Sequence, residues 1–372
     1  MSKRTRVLCV VGTRPEVIKM APVILALQQV DWADVRVVAT AQHRGLLDLA
    51  LAGFGIVADL DLNLMQEDQT LAQLTGRLIT GMDEVLTQEA PDFVLAQGDT
   101  TTVLSTGLCC FYRDIPFGHV EAGLRTHRRR SPFPEEMNRV FAGYVATLHF
   151  APTERARRNL LAEGVAADGI LVTGNTVIDS LLWQAARDVD RPTPFDSGKR
   201  LILVTAHRHE NFGPPMEAIC SAIATLADLY PDVEFLIPVH PNPNVTRIVR
   251  SMLGGRPRIT LCEPLDYAHF VAAIKHAYLV LTDSGGVQEE APALGKPVLV
   301  MRTDSERPEA IEAGVAKLIG IDHDSIVAEV ATLLDDQGAY RAMARGVSPY
   351  GDGNAAQRIT AALAQYFRHD AE

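Results

Sequence analysis

No apolar run in these 372 residues approaches the roughly 20 residues needed to cross a bilayer, so no membrane-spanning helix is expected. A secretory leader is not expected either. The start, MSKRTRVLCVVGTRP, is basic, but its apolar run VLCVV is five residues long and ends in Gly-Thr-Arg-Pro. Positive charge is in deficit: the net charge of −11 argues against nucleic acid or an anionic membrane surface as the main partner. An anionic ligand must then be held by cations placed locally. Cysteine is sparse and unpatterned. Cys9, Cys109, Cys110, Cys220 and Cys262 are an odd number without metal-ligand spacing, mostly in apolar contexts, with the adjacent pair inside a helix. They read as reduced core thiols of a cytoplasmic protein. Short repeats and low-complexity tracts are also missing.

What is present is the composition of an ordinary globular protein, 47% hydrophobic and 22% charged, at a length that suggests two domains. Short β-branched apolar runs alternate with longer segments of helical period, the signature of a parallel sheet covered on both faces. The runs predict strands over 6–11, 35–39, 93–96, 115–120, 148–151 and 170–172, then 200–205, 233–238, 259–261, 278–282, 297–301 and 315–319. Between the two sets, residues 188–199 are rich in Pro, Asp, Ser and Gly and mark a linker. The expected domains are 1–187 and 200–352, each doubly wound and Rossmann-like.

Nearly every predicted strand empties into a polar motif. Val11 runs into Gly12-Thr-Arg-Pro15, Ala96 into Gln97-Gly-Asp-Thr-Thr-Thr102, and Val120 into Glu121-Ala-Gly-Leu-Arg125. In the second half Thr205 runs into Ala206-His-Arg-His-Glu-Asn211, Val239 into His240-Pro-Asn-Pro243, and Thr282 into Asp283-Ser-Gly-Gly286. Ligands of open α/β sheets bind at the carboxyl ends of strands. Two such domains facing a central cleft would line it from both sides.

The Asp283–Glu290 segment follows a strand and opens a helix. Ser284 can cap that helix, Gly285 and Gly286 let a phosphate approach free N–H groups, and Glu290, about two turns in, can take two ribose hydroxyls; the plainer alternative is a capped helix with a glycine turn. At the first strand end Pro15 suits the opening helical turn, and Arg14 and Lys19 can present two cations to a phosphate, unless they are solvated surface charges. His207 can hydrogen-bond a diphosphate or hold a proton for it, and His240 is a similar case. His207 and His209 point apart if extended and lack a partner at ligand spacing, so no metal is expected. Asp99 and Glu121 end successive strands, and Glu135 belongs to Ser131-Pro-Phe-Pro-Glu-Glu136, a proline-stiffened loop that can aim a carboxylate into a cleft. Crowded carboxylates raise one another's pKa and can divide acid and base roles, whereas the plainer readings are surface charges or, for Asp99, a helix N-cap. Arg307 can meet a phosphate or a carboxylate such as Glu290. His127-Arg-Arg-Arg130 reads as a solvated loop.

In order along nearly the whole chain, the motifs at 12–22, 41–44, 98–102, 118–126, 132–139, 173–179, 238–245, 282–292, 306–310 and 349–353 resemble those of the non-hydrolysing bacterial UDP-N-acetylglucosamine 2-epimerases. The resemblance implies a glycosyltransferase-B-like fold, with a C-terminal helix at about 354–369 packing back on the first domain. It implies interconversion of UDP-GlcNAc and UDP-ManNAc without NAD or metal, through loss of UDP to a 2-acetamidoglucal and its re-addition. Arg14, Lys19, His207, Phe270, Ser284, Gly285, Gly286, Glu290 and Arg307 would hold UDP, with Phe270 near the uracil, and Asp99, Glu121 and Glu135 would work on the sugar. It implies a homodimer serving cell-surface polysaccharide synthesis, and a second UDP-GlcNAc as activator at Gln42, Gln69, Glu136, Arg208 and His240. Two positions depart from the regulated pattern: Asp68 and His209 stand where those members carry arginine. The rival readings are a UDP-sugar glycosyltransferase, a hydrolysing epimerase, a non-catalytic sensor, and an epimerase for a modified UDP-HexNAc.

Overall fold

The computed structural model describes residues 4–40, 44–66, 68–187, 189, 198–208, 211–305 and 307–369. The first sheet holds β1 (Thr5–Val11), β2 (Ala33–Ala39), β3 (Leu60–Asp61), β4 (Phe93–Gln97), β5 (Phe117–Val120), β6 (Leu148–Ala151) and β7 (Ile170–Val172), in the order β3-β2-β1-β4-β5-β6-β7. The second holds β8 (Arg200–Thr205), β9 (Val233–Pro238), β10 (Ile259–Cys262), β11 (Leu279–Thr282), β12 (Val298–Val300) and β13 (Ala316–Leu318), in the order β10-β9-β8-β11-β12-β13. Every pairing is parallel. Helices cover both faces, so the inner strands are apolar throughout rather than alternating: all five residues of β4 are buried.

Twelve of the strands fall where the apolar runs place them, four with the same bounds. The exception is β3, a two-residue pairing too short to carry a period. The chain forms two compact units, one of Met1–Leu182 with Tyr350–Glu372, the other Trp183–Pro349. The break at Leu182 falls slightly ahead of the segment the composition marks as a linker, of which 188 and 190–197 lie outside the described residues. No helix among the described residues is long and apolar enough to cross a membrane.

The helix Arg14–Gln28 shows how local sequence shapes the first unit. Thr13, in extended conformation, accepts from Glu16 N–H, Pro15 occupies the first turn, and Val17, Met20, Ala21, Ile24 and Leu27 form its buried face. Pro22 stands inside this helix and has no N–H to give to the carbonyl four residues back. Ile18 O is that carbonyl, and the buried Ser180 hydroxyl donates to it instead. The last helix, Ala355–His369, belongs to this unit as well. Asp179 accepts from the N–H groups of Ala355 (3.3 Å) and Ala356 (2.9 Å) at its start, and Tyr366 and Phe367 meet Phe93 with ring centroids 5.5 and 5.9 Å apart.

Candidate active site

In each sheet the strand order reverses at one place: between β1 and β4 in the first, between β8 and β11 in the second. Loops leaving neighbouring strands there diverge to opposite faces and leave room for a ligand. The polar motifs after β1, β4, β8 and β11 stand at those two places, and those after β5 and β9 lie one strand away.

In the first unit the exits of β1 and β4 are tied together. A Cβ on Gly12 would lie 2.5 Å from Thr102 Oγ1 and 2.7 Å from Thr40 Oγ1, so only glycine allows that approach. Glu16, 2% exposed, accepts from Gly12 N–H at 3.1 Å and from Thr100 Oγ1 at 2.7 Å. Burial raises its pKa to about 7, against the pull of these hydrogen bonds. Thr100, not Asp99, is the N-cap of the next helix, accepting from Val103 N–H. The plainer reading of Asp99 as an N-cap is therefore set aside, since its neighbour does the capping, and the Asp99 carboxylate is left for another partner.

That partner is Arg139, on the helix Glu135–Val145, with Nη2 3.1 Å from Asp99 Oδ2. Asn138, one residue earlier, donates to the Asp99 carbonyl at 2.9 Å, and the buried His119 ring bonds the Gly98 carbonyl at 2.7 Å through Nε2. The loop of Asp99 is thus held from β5 and from the helix together. Asp99 keeps 31% of its side-chain surface, yet burial raises its pKa; Arg139 and Lys19 pull it down while Glu121 and Glu135 push it up. The three acidic residues picked out in the sequence therefore lie within electrostatic reach of one another. Burial drives the His119 pKa down to about 3, so the ring is neutral, and the carbonyl it faces requires the proton on Nε2.

Glu121 leaves β5 with φ of +64°, a left-handed conformation that costs a non-glycine residue of order 1 kcal/mol or more. Its carboxylate, 7% exposed, pairs with Lys19 and accepts from Asn175 Nδ2 at 2.8 Å. Lys19, read in the sequence as a cation for phosphate, thus serves a carboxylate. Glu136 lies 2% exposed, with its oxygens taken by the N–H groups of Thr126 and His127 at 2.8 to 3.1 Å. Gln69 accepts from Arg77, Asp68 is exposed with φ of +54°, and Gln42 and His209 lie outside the described residues.

In the second unit Asp283 is fully buried and accepts from the N–H groups of His207 and Arg208 and from Asn211 Nδ2, each at 2.9 Å. The His207 ring stacks on His240, centroids 5.7 Å apart. Its pKa is lowered by burial first, with Asp283 opposing and His240 and Arg208 adding to the fall. Two expectations need correction here. The helix opens at Val287 with Gly286 at its cap and no side-chain cap, because Thr282 Oγ1 already holds Ser284 N–H at 2.9 Å and turns that segment before the helix begins. Glu290 consequently sits in the first turn rather than two turns in, where Tyr267 Oη donates to it at 2.9 Å. Arg307 pairs with Glu289, and its N–H donates to Ser305 Oγ at 3.0 Å. Phe270 is half-buried on the helix Tyr267–His276. Among the described residues no group of His, Cys, Asp and Glu has metal-ligand geometry.

A profile of the family "UDP-N-acetylglucosamine 2-epimerase" matches residues 25–364. The chain belongs to that family. It is 50% identical to the UDP-N-acetylglucosamine 2-epimerase of Escherichia coli K12 over 368 residues, 96% of this chain and 98% of that one. A solved structure of UDP-GlcNAc 2-epimerase from Neisseria meningitidis bound to UDP-GlcNAc matches with TM-score 0.90 and 44% identity, over 97% of this chain and 100% of that one. Another, from Methanocaldococcus jannaschii in complex with UDP-GlcNAc and UDP, matches with TM-score 0.83 and 32% identity over 97% and 100%. A glycotransferase of kitacinnamycin at 13% identity and TM-score 0.68, over 98% and 99%, shows the shared glycosyltransferase-B-like fold alone.

Glu16, Asn138, Arg139, Asn175 and Asp283 hold the site together without a role that the sequence alone assigns them. Each stood in a quoted motif. The signal available was spacing: Asn138 and Arg139 follow Glu135 by three and four positions, one turn on, where side chains share its helix face.

Proposed function

We propose that this chain inverts C2 of UDP-N-acetylglucosamine, interconverting it with UDP-N-acetylmannosamine. The observation that carries this reading is the set of Asp99 and Glu121 at adjacent strand ends and Glu135 at the start of a helix, both glutamates within electrostatic reach of Asp99, with Asp99 paired to Arg139 and Glu121 to Lys19. Inversion needs acid and base groups on both faces of C2. A base takes the C2 proton, the C1–oxygen bond breaks, and UDP departs with the bonding pair, leaving a C1–C2 double bond. A proton then enters C2 from the other face as UDP adds back to C1. No oxidation state changes over the cycle, so neither NAD nor a metal is required by the balance.

C2 carries no strongly acidifying carbonyl, so departure of UDP must assist, and cations at the diphosphate stabilise the charge that develops. Arg14, Lys19, His207 and Arg307 are assigned to the diphosphate, Ser284, Gly285 and Gly286 to backbone approach, Glu290 to the ribose and Phe270 to the uracil. We further propose a cytoplasmic homodimer feeding cell-surface polysaccharide synthesis, with Gln42, Gln69, Glu136, Arg208 and His240 binding a second UDP-GlcNAc as activator. Hyperbolic kinetics with a Hill coefficient near one would remove the activator.

Proton NMR of the enzyme with UDP-GlcNAc in D2O, without added NAD or metal, tests the main reading. UDP-ManNAc with deuterium at C2 of both sugars is expected. Free ManNAc and UDP would indicate hydrolysis instead, and unchanged substrate would overturn the assignment.

A further inference from the structure

The loops after β8 and β11 form one hydrogen-bonded device centred on Asp283. Its Oδ2 takes three donors, the N–H groups of His207 and Arg208 and the Asn211 amide, each at 2.9 Å. Three bonds to one oxygen hold the turn that carries His207. The other oxygen, Oδ1, is also buried and has no hydrogen bond, and it stands 3.3 Å from His207 Nδ1. A buried carboxylate oxygen without a donor is costly. The imidazole N–H, turned slightly, is the donor within reach.

We propose that Asp283 is a positioning residue that holds His207 in its Nδ1–H tautomer and presents Nε2 to the diphosphate. The proposal rests on the reading of His207 as a diphosphate ligand. With Nδ1 committed to Asp283, Nε2 is the nitrogen that takes up a proton, and the resulting imidazolium lies against the Asp283 charge. Protonated, His207 donates from Nε2 to the departing diphosphate; as UDP adds back to C1, the same proton is retained or released to water. Burial, His240 stacked on one face and Arg208 beside it oppose that charge, and Asp283 is the group that favours it.

Asp283→Asn separates this role from a purely structural one. The amide oxygen still accepts the three turn bonds, so the fold persists. Its NH2 now faces His207 Nδ1 as a donor, which forces the ring into the Nε2–H tautomer. The expected result is a melting temperature and UDP affinity close to wild type. With them kcat should fall about a hundredfold or more, as tautomer reversal does in other His–Asp pairs. The pH limb set by protonated His207 should move to lower pH. Nitrogen NMR of protein labelled with 15N-histidine reads the tautomer directly: Nδ1 protonated in wild type, Nε2 protonated in the variant. Should Asp283→Asn fail to fold, the wild-type spectrum alone decides the matter. A wild-type His207 protonated on Nε2, or a folded variant with unchanged kcat and pH limb, would overturn the proposal. Failure of the parent reading is told apart by the substrate assay: a wild-type enzyme that leaves UDP-GlcNAc untouched refutes that reading while the tautomer remains measurable.

Discussion

Arg139 decides the state of Asp99. Burial and two neighbouring carboxylates push the Asp99 pKa up, and Arg139 is the strongest influence against them. Removing it leaves a crowded carboxylate that holds its proton to higher pH. Arg139→Leu should move the pH limb governed by Asp99 upward and lower kcat at neutral pH by about 10²-fold, within the range general acid–base catalysis supplies. The affinity for UDP should stay within about twofold, and Arg139→Lys should restore part of the limb. Steady-state profiles from pH 5 to 9 and UDP titration read both; an unmoved limb in Arg139→Leu would detach Asp99 from the chemistry. Glu16 offers a stability test at the same scale. Its folded pKa of about 7 exceeds the ordinary value of 4.5, so the folded state binds its proton more tightly than the unfolded chain. That contribution is greatest below the ordinary value and is lost as pH rises from about 4.5 to about 7. Glu16→Gln should flatten the dependence of stability on pH across that window, measured by urea unfolding at pH 5 and pH 8. The hydrogen-bond partners of such residues were not legible beforehand. That Thr100 caps the helix beside Asp99, or that Glu290 falls in the first helical turn and meets Tyr267, depends on where each backbone turn starts, and a shift of one residue changes which side chain faces the partner.

At the scale of elements, strands were legible and turns were not. A buried parallel strand writes itself as an apolar run, as β4 and β6 do, and a strand end followed by polar residues marks a functional edge. The turn after β5 is different. Gly123 has φ of +89°, and a Cβ there would lie 2.3 Å from the Ala156 carbonyl oxygen and 2.8 Å from its carbon. The turn that sets Glu121 is thereby pressed against the helix Glu154–Ala162, and no pattern in the sequence announces that contact. Gly123→Ala should cost about 2 kcal/mol or more through the strained φ and the overlap. The backbone must retreat from Ala156, carrying Glu121 from its place beside Lys19 and Asn175. Activity should fall with stability. Gly164→Ala is a fair control, since its φ is also positive but nothing lies within 4 Å of the added carbon: it should lower stability while leaving kcat near wild type. Equal kcat in the two variants would mean the turn does not place Glu121.

For the whole molecule, the two-unit organisation followed from length and the doubled strand pattern, but the return of the chain to its first unit did not. Nothing in the period of 355–369 says which core the helix covers; that came only through family resemblance. The structure supplies the physical reason. Ile359 and Leu363 are fully buried, Phe93 at the start of β4 is covered by Tyr366 and Phe367, and Asp179 holds the first N–H groups of the helix. The final helix is therefore part of the core that supports β1 and β4, whose ends carry Glu16 and Asp99. Leu363→Ala should destabilise by about 2–5 kcal/mol, the usual cost of emptying a fully buried leucine site. The loss should be felt unequally. Hydrogen exchange monitored by mass spectrometry should quicken in Arg14–Gln28 and in β4, which pack with this helix, while β8 and β11 keep their protection because a separate core holds them. Faster exchange of equal size in both units would mean that the two cores open as one, and that the last helix stabilises the chain as a whole rather than the acidic cluster's own scaffold.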